Sequence, residues 1–133
     1  MGGIMREEIR IETLGPPISH YTDAVRFGDL LFISGVVAWD QAGNVVGKGD
    51  VVAQTEKIFD SMGQILAQGG CGFADVLTVT VFLKDIEDRA KINPVRERVF
   101  GDTRPASTLV EVSKLVNPEL MIEINAVAGI PGN

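Results

Sequence analysis

The chain has 133 residues, 45% of them hydrophobic and 23% charged, with a formal net charge of -6 and a pI near 4.7. That length buries one core without metals or disulfides, and the acidic balance argues against phosphate-backbone binding, which relies on clustered Lys and Arg; nucleic acid is not an expected partner. A single cysteine, no apolar run near the roughly 18 residues of a membrane span, and no long apolar stretch in Met1 to Arg10 lead us to expect one cytoplasmic domain over residues 1–133, away from membranes.

Arg6 to Thr13 carries Ile9 and Ile11 at period two and reads as a short strand, broken by Leu14-Gly15-Pro16-Pro17. A loop through His20 and Tyr21 follows. Ala24 to Phe27 and Leu30 to Ala38 are extended runs joined by Gly28-Asp29, a tight hairpin turn. The second run is apolar on both faces, which predicts an interior strand, and Gly35 within it signals a bulge or a close backbone approach. Asp40 to Gly49 is a polar, glycine-rich loop.

From Asp50 the period changes: Val51, Val52, Thr55, Ile58, Phe59, Met62, Ile65 and Leu66 recur at three- and four-residue intervals, an amphipathic helix capped by Asp50 and stopped by Gly69-Gly70. Val76 to Leu83, rich in β-branched residues, reads as another interior strand. A second helix is expected over Asp88 to Phe100, with Pro94 in its first turn, where amide hydrogens lack helical partners. Thr108 to Val112 and Leu120 to Ala128 close the chain as two strands compatible with antiparallel pairing through a loop containing Asn117-Pro118.

In the last strand Leu120, Ile122, Ile124 and Ala126 share one face and Met121, Glu123, Asn125 and Val127 the other. A carboxylate in so apolar a segment needs a partner or a purpose; the alternative is a partly wet face with Glu123 turned to water. Six strands and two helices leave one sheet face uncovered, and its apolar residues imply burial against another copy of the chain.

These residues resemble the Rid family (reactive intermediate deaminases, or YjgF-like proteins) over nearly the whole chain. The resemblance rests on Leu31-Phe32-Ile33-Ser34-Gly35, Ala53-Gln54-Thr55, Val79 to Asp85, Asn93, Pro105-Ala106, Val110-Glu111-Val112 and Ile122 to Ala128. It implies an α+β, chorismate-mutase-like fold with a six-stranded mixed sheet, two helices on one face, and a homotrimer with sites between subunits. It further implies hydrolysis of small enamines or imines to a carbonyl product and ammonia, with no metal or organic cofactor. Carried over by position, Glu123 matches the glutamate that positions water or moves its proton, and Tyr21 the tyrosine that closes the cleft. Ser34 and Gly35 match the strand lining that cleft, and Asn93 a polar position near the second helix.

One position departs from the pattern. Where deaminase members carry an arginine directly after Pro-Ala, making a bidentate bridge to the substrate carboxylate, this chain has Ser107, and Leu109 replaces a small residue two positions on. A neutral hydroxyl in place of a guanidinium fork forgoes about 1.5–3 kcal/mol of charge-assisted binding, which weakens the expectation of efficient turnover of 2-imino acids. Arg104, Arg96 and Arg98 are the nearby cations that can replace the charge, each otherwise read as a solvated surface residue.

His20, the one histidine, is of the residue type most suited to acid–base work and can couple to Glu123 across an interface; alternatively it is an idle loop residue. Cys71 reads as a turn residue, Trp39 as packing beneath the following loop, with stacking on a ligand as the alternative, and Glu111 is unassigned. Two functions remain: a hydrolase using Glu123, Tyr21 and His20, with Ser34, Gly35, Asn93, Ser107 and Arg104 binding substrate, or a non-catalytic small-molecule-binding or regulatory trimer. Ribonuclease or translation-inhibitor labels attached to the family fit poorly with net charge -6 and one histidine.

Overall fold

The β2–β3 hairpin, Ala24–Phe27 and Leu30–Val36, turns at Gly28, whose φ of 61° lies in the left-handed region that glycine enters without strain. This computed structural model describes residues 5–132; of the opening segment and the full-length domain read from sequence, residues 1–4 and 133 lie outside the described residues. β1 (Arg6–Ile9) pairs antiparallel with β2 and ends four residues short of the expected strand, because Glu12–Leu14 winds into a 3-10 turn.

β4 (Val76–Leu83), β5 (Ala106–Glu111) and β6 (Ile122–Gly129) complete one six-stranded mixed sheet in the order β1-β2-β3-β6-β4-β5. β3 and β4 are interior, as their two-sided apolar pattern predicts. The expected pairing of the last two strands does not occur: β6 inserts between β3 and β4, antiparallel to both, and β5 runs parallel to β4 at the edge. The connection from β4 to β5 passes through a helix, which is the connection a parallel pair requires.

Helix α1 (Val51–Gln68) begins where the Asp50 side chain accepts from the Ala53 amide at 3.1 Å and ends at Gly69-Gly70, as read from sequence. Its buried face places Ile58, Met62, Ile65 and Leu66 against Leu31, Val79, Ile122 and Ile124 in one core, each such side chain contributing about 1.5–3 kcal/mol on burial. Helix α2 (Arg89–Phe100) joins α1 on the same face of the sheet through Phe100, which meets Phe59 and Phe73 edge-on with centroids 5.6 Å apart in each case.

Pro94 is the sixth residue of α2 rather than a first-turn residue. The helix tolerates it because Ala90, whose carbonyl loses its amide partner, is exposed and open to water. No helix among the described residues is long and apolar enough to cross a membrane.

The opposite face of the sheet carries no helix. Phe27, Leu30, Phe32, Leu77 and Val110 all remain exposed there.

Candidate active site

Between Ile33 and Val36 the register of β3 against β6 slips: Ile33 pairs with Ala126 and Val36 with Ile124, so one extra β3 residue bulges. Gly35 sits in that bulge, and the Glu123 side chain lies across it. A Cβ added to Gly35 would fall on Glu123 Oε2 and stand 2.8 Å from Cδ. The close backbone approach expected at Gly35 is therefore an approach by Glu123.

Glu123 projects from the uncovered sheet face into a cleft of about 350 Å3 lined by Ile18, Ser19, Tyr21, Ser34, Gly35, Val37, Trp39, Val116 and Glu123 itself. The carboxyl group is half-buried, and burial pushes its pKa above the ordinary carboxylate range. A smaller pocket of about 40 Å3 adjoins it, sharing Tyr21, Ser34, Gly35, Val37 and Trp39.

Side-chain hydrogen bonds fasten the loop that carries Tyr21 to the sheet. The Ser34 hydroxyl donates to the Thr22 carbonyl at 2.6 Å, the Thr22 hydroxyl to the Ile9 carbonyl at 2.9 Å, and Asp23 accepts from the Ile11 amide and from Arg10. Ser34 thus holds the loop while lining the cleft, and Tyr21, 43% exposed, stands at its wall. His20 is exposed and is not among the lining residues. Trp39 packs against the core and bridges Val45 while also lining the cleft, so the packing read from sequence and a place beside a ligand are both compatible with its position. Ile18 and Val116 were not legible as cleft residues; they belong to loops, and no periodicity marks them.

The remaining sequence-assigned residues lie elsewhere. Asn93, Arg104 and Ser107 line a second pocket, of about 420 Å3, together with Arg96, Glu97 and Phe100. Ser107 pairs with Val79, whose side chain is in the helix-covered core, whereas Glu123 pairs with Phe82 on the uncovered face. The two groups therefore occupy opposite faces of the sheet within one chain.

Arg96 departs from its reading as a solvated surface residue: it is half-buried, its Nη2 donates to the Ser107 hydroxyl at 2.8 Å, and burial lowers its pKa. Arg98 is exposed and pairs with Glu56 at 3.5 Å; Arg104 is exposed, as expected. Leu109 is partly buried against the core, and Glu111 accepts from the Ile86 amide at 3.0 Å, which gives that residue a structural part. Cys71 is partly buried beyond the α1 terminus, and burial pushes its thiol up.

Residues 13–130 match the family described as Endoribonuclease L-PSP. The chain belongs to that family, the Rid or YjgF-like proteins. It is 34% identical over 125 residues to the 3-aminoacrylate deaminase RutC of Acinetobacter baylyi, covering 94% of this chain and 98% of that protein. A RutC family protein of Pyrococcus horikoshii is 40% identical over 124 residues, 93% of this chain and 98% of its own length. The solved Rid-family structure from Yersinia pestis superposes with a TM-score of 0.88 at 26% identity, covering 95% of this chain and all of that one.

Proposed function

We propose that this Rid-family chain hydrolyses a small, reactive enamine or imine to a carbonyl compound and ammonia, with Glu123 as the acid–base residue. The observation that carries the reading is the half-buried carboxylate lying across Gly35 in a cleft of about 350 Å3. The similarity to a protein named 3-aminoacrylate deaminase supports the choice of substrate class.

An enamine takes a proton from solvent at carbon to become an iminium ion, and water adds at the imine carbon while the Glu123 carboxylate removes one of its protons. Glu123 returns that proton to nitrogen; the C–N bond then breaks as the carbinol O–H proton passes to solvent, giving the C=O bond and ammonia and restoring the proton first taken up. A raised carboxyl pKa suits this exchange because transfer is most efficient when the group's pKa lies near the working pH. Tyr21 and Ser34 border the space where the reacting carbon would sit, and the apolar wall of Val37, Trp39 and Val116 limits bulk water.

In this reading the active protein is a homotrimer. Exposed apolar residues on the uncovered sheet face favour another copy as their cover, and residues assigned to one site lie on opposite sheet faces of a single chain, so a shared site needs two copies. Ammonia release from 2-aminoacrylate generated in place from serine, alongside 3-aminoacrylate and larger enamines, tests the activity. Turnover lost in Glu123→Ala with the assembly intact is expected. Silence of the wild-type protein across the panel would contradict catalysis and favour the non-catalytic binding trimer.

A further inference from the structure

Arg96 occupies an unusual position for a cation in a chain of net charge -6. It lies one turn beyond Ile92 and next to Val95, both buried, so its stem borders the packed face of α2 and its guanidinium emerges over edge strand β5. Arg6, Arg10 and Arg98 each have a carboxylate partner, Glu8, Asp23 and Glu56. Arg26, Arg89, Arg96 and Arg104 have none within ion-pair distance among the described residues, and of these Arg96 alone is both half-buried and in the lining of the pocket that holds Ser107, whose neutral hydroxyl is its side-chain partner. A half-buried guanidinium without a counter-charge loses part of its hydration with no ion pair to offset the loss. An anion entering the adjoining pocket of about 420 Å3 would supply that counter-charge.

We propose that Arg96, oriented by Ser107, is the anion-holding residue of this protein and that it takes the carboxylate of a small monocarboxylic acid. A guanidinium presents five donors in a planar fork, and Ser107 accepts from one Nη nitrogen, which leaves donors free to meet both oxygens of a planar carboxylate. Ser107 aims the group without neutralising it, which a carboxylate at the same position would do. Glu97 lines the same pocket, and that negative neighbour disfavours a doubly charged phosphate relative to a singly charged acid. Burial already lowers the Arg96 pKa, and a bound carboxylate opposes that shift. The absence of an arginine at position 107 then leaves the anion-holding function in place, supplied from α2 instead of β5. That Arg96 serves the same substrate as Glu123 rests on the deaminase reading and on a second copy bringing the two faces together; anion binding itself does not.

Titration calorimetry on the full-length protein with pyruvate and its neutral methyl ester tests the assignment. Pyruvate should bind at least about tenfold tighter than the ester, the scale of a lost charge-assisted contact. Arg96→Ala should abolish that preference, Arg96→Lys retain part of it, and Arg98→Ala, the same charge change on the same helix, leave it intact. Ser107→Arg in the Arg96→Ala background should restore it, which also shows that the variant folds. Equal binding by wild type and Arg96→Ala, no preference for the acid, or no pyruvate binding at millimolar concentration would overturn the proposal. If Arg96→Ala loses the preference while the wild-type protein releases no ammonia from any enamine, the anion site stands and the deaminase reading fails. If the wild-type protein turns over an enamine acid and Arg96→Ala does so equally well, the outcome is reversed.

Discussion

Glu123 and Gly35 form one unit, because the space a β-carbon would take at position 35 is filled by the carboxylate. Gly35→Ala should displace that carboxylate at little cost to the fold, since its neighbours are side-chain atoms that can swing away. The expected result is a kcat about 100-fold lower, the scale of a misplaced acid–base group, with an almost unchanged melting temperature; full activity in the variant would show that the carboxylate's place over the bulge is irrelevant. Burial also raises the Glu123 pKa, so the folded chain holds this proton more tightly than the unfolded chain does. Its contribution to stability is fully present below the ordinary carboxylate pKa and is lost as pH rises through the raised one. Glu123→Gln should therefore melt higher than wild type above that window and lose the advantage below it, as read by thermal denaturation across pH. At this scale the sequence made Glu123 and Gly35 visible, since a carboxylate in an apolar strand and a glycine in an interior strand are local anomalies. Arg96 was not visible, because its burial and its bond to Ser107 depend on where α2 crosses β5.

Helix α1 is attached to the sheet by a polar staple. Gln54 is fully buried; its Nε2 donates to the Gly47 and Glu119 carbonyls at 3.1 and 3.0 Å, and its Oε1 accepts from the Met121 amide at 2.8 Å. The residue thus fixes the entry to β6, two residues before Glu123. Gln54→Leu leaves three backbone groups without that partner and should destabilise the fold by about 2–4 kcal/mol, at roughly 1 kcal/mol or more per buried group; denaturant unfolding measures it, and a neutral result would show that water replaces the amide. The hairpin at Gly28, α1 with its cap and stop, and the interior character of β3 and β4 were legible because periodicity and chain breakers are local. The insertion of β6 between β3 and β4 and the parallel placement of β5 were not, because strand order is decided by distant partners. Pro94 was misplaced: α2 starts at Arg89, within one residue of the expected start, so the proline lies five residues in and past the first turn, tolerated by the exposed Ala90 carbonyl rather than by a free first-turn position.

The whole molecule presents one helix-covered face and one bare one. Phe32 and Leu77 are 45% and 52% exposed on the bare side, an apolar surface of the kind that marks an interface. Under the proposed homotrimer, Phe32→Glu should lower the mass measured by light scattering to that of a monomer and remove turnover, because Glu123 and the Arg96–Ser107 pair face opposite ways in a single chain. A fully active monomer would contradict the shared-site account. The most direct test of Glu123 as the acid–base residue is the pH dependence of ammonia release, measured on the best enamine of the panel for wild type and Glu123→Gln with assembly verified in parallel. The account predicts that the wild-type rate rises with pH through a pKa above the ordinary carboxylate range, and that Glu123→Gln is at least about 100-fold slower and lacks this limb. A Glu123→Gln protein that keeps both the wild-type rate and the wild-type pH profile would contradict it.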